Sequence, residues 1–323
     1  MQAEPQTEQP EAESWPPLPR TETRNERTTQ IDTVGTLELL QLLNAEDGLV
    51  AGAVAATLPV LATVVDATVA RLRAGGHVHY FGAGSSGRIG VLDAAEVVPT
   101  FGADPGMFVA HHAGGEAAVA QAIEAAEDRQ SLGETAASGL ISADVAIGLS
   151  ASGRTPYVAG ALRRARSLGA LSVLVSSNLA APLAELADYS LLADTGPEAI
   201  AGSTRLKAGT AEKMILNSLS TAVMIKLGRT YSNLMISLSG TNEKLRLRQL
   251  LILMEISGTS EAACRAELDR CGGDLRLALL CLLAGITPES AASALAAADG
   301  NVRAALAAVA ASDGSSDSRP GSR

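Results

Sequence analysis

The sequence predicts an α/β fold: a parallel five-stranded sheet flanked by helices in a doubly wound arrangement, followed by a small C-terminal three-helix bundle. Three observations carry that prediction. Short apolar runs recur with helical patterns between them, which is the signature of a parallel sheet covered on both faces. Two of those runs end in turns rich in glycine and serine that hand the chain to a helix. The length of 323 residues, 47% of them hydrophobic, is enough for one full core and an appendage.

The N-terminal stretch MQAEPQTEQPEAESWPPLPR is acidic and rich in proline. It lacks the basic start and apolar centre of a secretory signal and is expected to stay disordered. Helical patterns follow over about 34–45 and 49–74. The apolar stretch LVAGAVAATLPVLATVV at 49–65 is short for a membrane span and is interrupted by Pro59, so it reads as a buried helix. The expected strands are HVHYF (77–81), MFVAHH (107–112), VAIGLS (145–150), LSVLVS (171–176) and YSLLA (189–193). From about Leu206 to Ser257 the pattern reads as helical throughout. After GTS at 258–260 come alanine- and leucine-rich helices separated by CGGD and ADGN. The chain therefore divides into a tail (1–21), a main domain (22–258), a helical bundle (259–312) and a second tail (313–323).

A formal net charge of −10 argues against nucleic-acid binding, because phosphate backbones are held by a surplus of Lys and Arg. Local capture of a single phosphate is untouched by that argument. Cys264, Cys271 and Cys281 show no paired spacing and read as small buried hydrophobes in a reducing, cytoplasmic setting.

The turns carry the chemistry. In FGAGSSGRIG (81–90), glycines at a strand end let backbone approach a ligand, and the helix that follows offers unpaired N–H groups and the positive end of its dipole. No GK[ST] follows, which excludes a Walker loop. Gly82, Gly84 and Gly87 match a dinucleotide spacing, but no acidic ribose ligand follows the next strand. Ser85 and Ser86, with Gly87, suit a monophosphate. GLSASGRTPYV (148–158) repeats the device, with Ser150, Ser152 and Thr155 opening another helix. Two such turns can grip one phosphate.

Four histidines complete the polar inventory. His77 and His79 share one face of a strand by its period of two, and His111 and His112 are neighbours on the next. A metal cluster is conceivable if those strands pair, but a strand histidine is more commonly just hydrogen-bonded, and no metal is expected.

The paired serine turns resemble those of the sugar isomerase (SIS) domain, a phosphosugar-binding α/β family. The likeness sharpens over ETRNERTTQIDTVGTLELL (22–40), LDAAEVVPTFG (92–102), AGGEAAVAQAIEAAED (113–128), GSTRLKAGTAEKMILN (202–217) and GTNEKL (240–245). Together these resemble the N-acetylmuramic acid 6-phosphate etherase family from about residue 22 to 310, including a C-terminal bundle similar to ubiquitin-associated domains. The resemblance implies a homodimeric lyase that needs no metal or cofactor. It would release D-lactate from a phosphosugar substrate and leave N-acetylglucosamine 6-phosphate, in the recycling of cell-wall sugars.

The same resemblance carries two catalytic glutamates onto Glu96 and Glu127: Glu96 as the acid that helps lactate leave, Glu127 as the second acid–base group. By periodicity alone Glu127 is one more charge on an exposed helix face. Glu96 lies between apolar residues just before Pro99, where the helix is expected to stop and a partly buried carboxyl would be raised in pKa. The family often has a cysteine and a second proline where this chain has EVVPTFG. Ser203 and Lys207, with Thr204 and Arg205, are expected to open a helix facing the phosphosugar, and Glu198 or Glu212 to reach sugar hydroxyls. The TNEKL residues Asn242, Glu243 and Lys244 match the family without an evident role.

Two other functions share these turns: a phosphosugar isomerase, and a non-catalytic phosphosugar sensor, for which no DNA-binding segment is found. Geometry adds one constraint. If the helix after Gly87 ran unbroken to Glu96, the carboxyl would lie about 14 Å along the axis from the phosphate, at 1.5 Å per residue. Either the chain folds back, or Glu96 serves the neighbouring subunit; the long apolar helix of 49–74 favours the second by offering a two-fold interface.

Overall fold

The computed structural model describes residues 18–316 except 122, 124, 239, 241 and 242. Residues 1–17 of the expected N-terminal tail and 317–323 of the expected C-terminal tail lie outside the described residues; the described ends are ordered, with a 3-10 turn at Arg20–Glu22 that buries Thr21 and a last helix that reaches Ser316. Three helices, α1 (Thr36–Asp47), α2 (Val50–Ala55) and α3 (Leu58–Arg73), precede β1 (Val78–Gly82). The single helix expected over 49–74 is thus broken once, ahead of Pro59, which occupies the first turn of α3 where its missing N–H costs nothing. Then follow α4 (Gly84–Phe101), β2 (Phe108–His112), α5 (Ala117–Ala120), α6 (Gln130–Ala136), β3 (Val145–Leu149), α7 (Pro156–Ser167), β4 (Leu171–Ser176) and β5 (Tyr189–Leu192).

The five strands pair in parallel in the order β2-β1-β3-β4-β5, in agreement with the expected doubly wound sheet. Strands β3 and β4 are buried at every residue, which is why their sequences read as continuous apolar runs without alternation. One face of the sheet packs Val78, Tyr80, Ile147 and Val173 against Leu61 and Val65 of α3, Val97 of α4 and Ile215 and Leu219 of α8 (Lys207–Lys226). The other packs Phe81, Ala146 and Leu174 against Val158 and Leu162 of α7. Among the described residues no single helix is long and apolar enough to cross a membrane, and Val50, Val54, Val64 and Val65 of the 49–65 stretch are core residues.

The stretch from Leu206 to Ser257 is not helical throughout. A short hairpin, β6 (Thr230–Tyr231) and β7 (Leu234–Met235), separates α8 from α9 (Glu243–Ser257). Gly228, at φ +77, ends α8 in the left-handed region that glycine alone adopts freely. The C-terminal region is helical as expected, but among the described residues it has four helices after Ser257 rather than the expected three. After Ser257 come α10 (Glu261–Arg270), α11 (Leu275–Ala284), α12 (Pro288–Ala297) and α13 (Val302–Ser316). The extra break is the sequence GITP, where Gly285 at φ +65 closes α11, Thr287 caps α12 and Pro288 begins it. These helices share a core with Ile236, Leu238 and Leu253.

Buried polar groups tie the N-terminal segment to α8. Glu46 is 2% exposed; its carboxylate accepts from Arg27 (Nη2, 2.9 Å) and from the fully buried Lys207 ammonium (2.6 Å). Glu198, also fully buried, caps α8 by accepting from the backbone N–H groups of Lys207 (3.0 Å) and Ala208 (2.9 Å). The hydrogen bond from Arg27, with those from Lys207 and Asn25, brings the Glu46 carboxyl down to about 2. Because the folded value lies below the unfolded one, this stabilisation is present above about pH 4.5 and is lost as pH falls toward 2. Glu46→Gln is expected to flatten that acid limb in denaturant titrations at pH 7, 4 and 3. It should also lower stability at pH 7 by about 3 kcal/mol or more, since it strands the Lys207 charge in the core. An unchanged acid limb would show that the carboxylate is not the group responsible.

Candidate active site

The site follows from the strand order. The connection leaving β1 runs through α4 to β2 on one side, whereas β3 pairs with β1 on the other. A crevice therefore opens at the carboxyl ends of β1 and β3, the place where open α/β sheets bind ligands. Both glycine–serine turns lie there.

At the end of β1 the chain enters α4 with no intervening loop. A side chain on Gly82 would meet the Gly87 backbone nitrogen at 2.8 Å, and one on Gly87 would meet the Gly82 oxygen at 2.7 Å and the His112 ring at 2.5 Å. Gly84 opens the helix at φ +52. The first N–H groups of an 18-residue helix are thus held at the sheet edge. Ser86 is nearly buried and its hydroxyl bonds Glu212 Oε1 at 2.9 Å. Burial moves the Glu212 carboxyl up to about 8, so it is protonated at neutral pH and adds no negative charge beneath the turn. His112 reaches the Ala113 oxygen with Nδ1 (2.7 Å) and the Gly84 oxygen with Nε2 (3.1 Å).

In the second turn the Ser150 and Thr155 hydroxyls lie 2.8 Å apart, and Ser152 Oγ accepts from the Arg154 N–H at 3.3 Å. Thr155 stands at the N-cap position of α7 with its hydroxyl turned to Ser150 rather than to the helix, and Pro156 begins the helix. Between the two turns lies a cavity of about 400 Å³, lined by Ser85, Ser86, Ser152, Arg154, Thr155 and Glu127 among others.

Glu127 reaches this cavity by a route that periodicity did not indicate. Expected on an exposed helix face, Glu127 instead stands in a loop beyond α5, which ends at Ala120. Ala125 in that loop takes φ +63, a strained value for a residue with a Cβ. The Glu127 carbonyl accepts from the Tyr157 N–H at 2.9 Å, which pins the loop to the start of α7.

Other expected residues fall elsewhere. Ser150 is 2% exposed and sits under the turn, and Gly87 serves packing. Ser203 is half-buried outside the cavity lining, to which its neighbour Thr204 contributes. Lys207 does not face the cavity, because its ammonium is spent on Glu46. Glu198 and Glu212 are likewise buried, bonded to α8 and to Ser86. Arg205, Glu243 and Lys244 are exposed, and Asn242 lies outside the described residues.

Glu96 is the sharpest departure. Helix α4 runs unbroken through it to Phe101 with Pro99 inside, so the chain does not fold back at EVVP. Its carboxyl is exposed rather than partly buried, on a helix face that also presents Leu92 one turn back. Glu22, Arg154 and Asp128 line the cavity although the sequence reading did not single them out. Arg154 sits inside the quoted SASGRTP turn, where a cation between two serines and a helix start was the available signal.

Comparison with known proteins places this geometry. The SIS domain matches residues 118–222, and the glucokinase regulatory protein N-terminal SIS domain matches residues 60–166. The N-acetylmuramic acid 6-phosphate etherase of Thermobifida fusca is 55% identical over 263 residues, 81% of this chain and 86% of that protein. The etherase of Pectobacterium atrosepticum is 46% identical over 88% of this chain and 95% of its own length. That of Streptomyces avermitilis is 46% identical over 89% and 93%. With identity this high over most of both chains, and the SIS-type crevice in place, the chain belongs to the N-acetylmuramic acid 6-phosphate etherase family.

Proposed function

We propose that this chain cleaves the D-lactyl ether of N-acetylmuramic acid 6-phosphate in the cytoplasm, using Glu127 of one subunit and Glu96 of its partner in a homodimer. The observation that carries the reading is that Glu127 lines the same cavity as both serine turns. The phosphate sits at the start of α4, against the N–H groups and hydroxyls of Ser85 and Ser86, with Ser152 and Thr155 on the opposite wall.

In the open-chain aldehyde, the carbonyl acidifies the C2 hydrogen. Removal of that proton and breakage of the C3–oxygen bond give an enal and D-lactate, the ether oxygen taking up a proton as it leaves. Water then adds across the double bond, hydroxyl to C3 and hydrogen to C2, giving N-acetylglucosamine 6-phosphate. The sequence is a proton-assisted elimination followed by a proton-assisted addition of water, so two placed carboxyl groups supply the acid and the base. Glu96 acts as the acid toward lactate and Glu127 as the second acid–base group.

Within one chain Glu96 lies about 14 Å beyond Gly87 along a straight helix, farther than C2 and C3 lie from a bound C6 phosphate. The exposed Leu92 beside it, and the exposed apolar residues on the N-terminal helices, Leu37, Leu40, Leu49 and Leu58, supply a surface for a second copy. In such a dimer α4 of each subunit lends Glu96 to the other.

Glu127→Gln is expected to reduce D-lactate release from the purified substrate by about 10²- to 10⁴-fold, with phosphosugar binding retained. A variant within twofold of wild type would remove Glu127 from the chemistry. Mixing inactive Ser85→Ala/Ser86→Ala protein with inactive Glu96→Gln protein should restore part of the activity through hybrid dimers. No recovery after subunit exchange has been verified, for example by mass-tagged subunits, would place the whole site in one chain.

A further inference from the structure

The opposite end of β1 carries a second group of chemically matched side chains. His77 precedes the strand and His79 lies two residues on, so both rings rise from the same face of the sheet. Asp144, just ahead of β3, faces them: its Oδ1 lies 3.5 Å from His77 Nδ1 and its Oδ2 lies 3.8 Å from His79 Nε2. The three donor atoms all lie within 4.8 Å of one another. A divalent transition ion with bonds of about 2.1 Å to nitrogen and oxygen spans donors roughly 3–4 Å apart.

The surroundings fit a metal better than a hydrogen-bonded cluster. The Asp144 carboxylate is fixed by two backbone N–H groups, from His77 (2.8 Å) and Ile141 (2.8 Å), and its side chain is only 4% exposed. Its position therefore does not depend on either imidazole, and both imidazole nitrogens stand beyond hydrogen-bond distance from it. On its far side, His79 Nδ1 contacts His111 Nε2 at 2.9 Å, and the His111 ring stacks on Phe81 at 4.6 Å. When His79 Nδ1–H donates to His111, the lone pair of His79 Nε2 points at a carboxylate, an arrangement that a cation relieves. This is also the support that metal-bound histidines characteristically receive from a second residue. The His77 side chain is half exposed and free to swing by the fraction of an ångström that closure requires.

We infer that His77, His79 and Asp144 form a site for one divalent first-row transition ion such as Zn²⁺, with His111 holding His79 in register and water completing the coordination shell. Two imidazoles and one carboxylate favour such ions over Mg²⁺ and Ca²⁺, which take oxygen donors. The site lies about 10–16 Å from the Gly82 turn, three to five residues along an extended strand, so it clasps the loop before β3 to β1 and stands apart from the substrate cavity.

The test is calorimetric titration of the untagged full-length chain with Zn²⁺, together with thermal unfolding in increasing Zn²⁺. One ion per chain is expected, with a melting temperature that rises with Zn²⁺ concentration. His77→Ala, on a half-exposed side chain, and His79→Ala should each weaken binding at least tenfold, and His111→Ala about tenfold. Co²⁺ in place of Zn²⁺ should show ligand-field bands without thiolate charge transfer. This separates the site from the buried Glu267, Cys271 and Cys281 group in the C-terminal bundle. Absence of stoichiometric binding, wild-type affinity in His77→Ala, or a thiolate band lost in Cys271→Ser would each overturn the inference.

Discussion

Everything in the active-site region depends on how closely the end of β1 approaches the start of α4. Gly82 and Gly87 touch backbone to backbone, leaving no room for a side chain on either. That contact fixes the helix N-terminus over the sheet edge, where its unpaired N–H groups and dipole are available to an anion. It also fixes the direction in which the rest of the helix departs. A straight helix anchored so tightly at its first turn carries Glu96 away from its own crevice. The proposed two-subunit site rests on this departure, and so on the same contact that opens the turn to an anion.

The buried polar residues of α8 give this turn a firm base. Glu212 holds the Ser86 hydroxyl, and Asp93, on the buried side of α4, accepts from Tyr80 (2.8 Å), Asn217 (2.8 Å) and Ser220 (3.0 Å). Strand, helix α4 and helix α8 are thereby linked through polar atoms as well as through apolar packing. The three hydrogen bonds that Asp93 accepts favour one arrangement of the three elements over slipped alternatives.

Much of this was legible in the sequence because the signals were local. Each expected strand appears within a residue or two, since a fully buried parallel strand must be apolar along its whole length. Both serine turns were legible for the same reason: strand end, glycine, hydroxyl and helix start are contiguous. The hairpin at Thr230–Met235 was missed because only Gly228 and a short polar stretch mark it within a long helical pattern. Lys207 misled because its partner, Glu46, is remote in the chain, and spacing says nothing about which carboxylate a buried ammonium will find. Glu127 could not be placed by periodicity because a loop delivers it, and Glu96 was misplaced because Pro99 reads as a helix stop but is carried inside α4.

The link between Glu46 and Lys207 also sets an order of events during synthesis. The two residues are 161 positions apart. At about 5–20 residues per second, roughly 10–30 s pass between their emergence from the ribosome. Over that interval Glu46 has only Arg27 and Asn25 for company, while β1 through β5 emerge one after another. The sheet can therefore assemble first, with the N-terminal segment still waiting, and α8 completes the domain by arriving with the charge that draws that segment down.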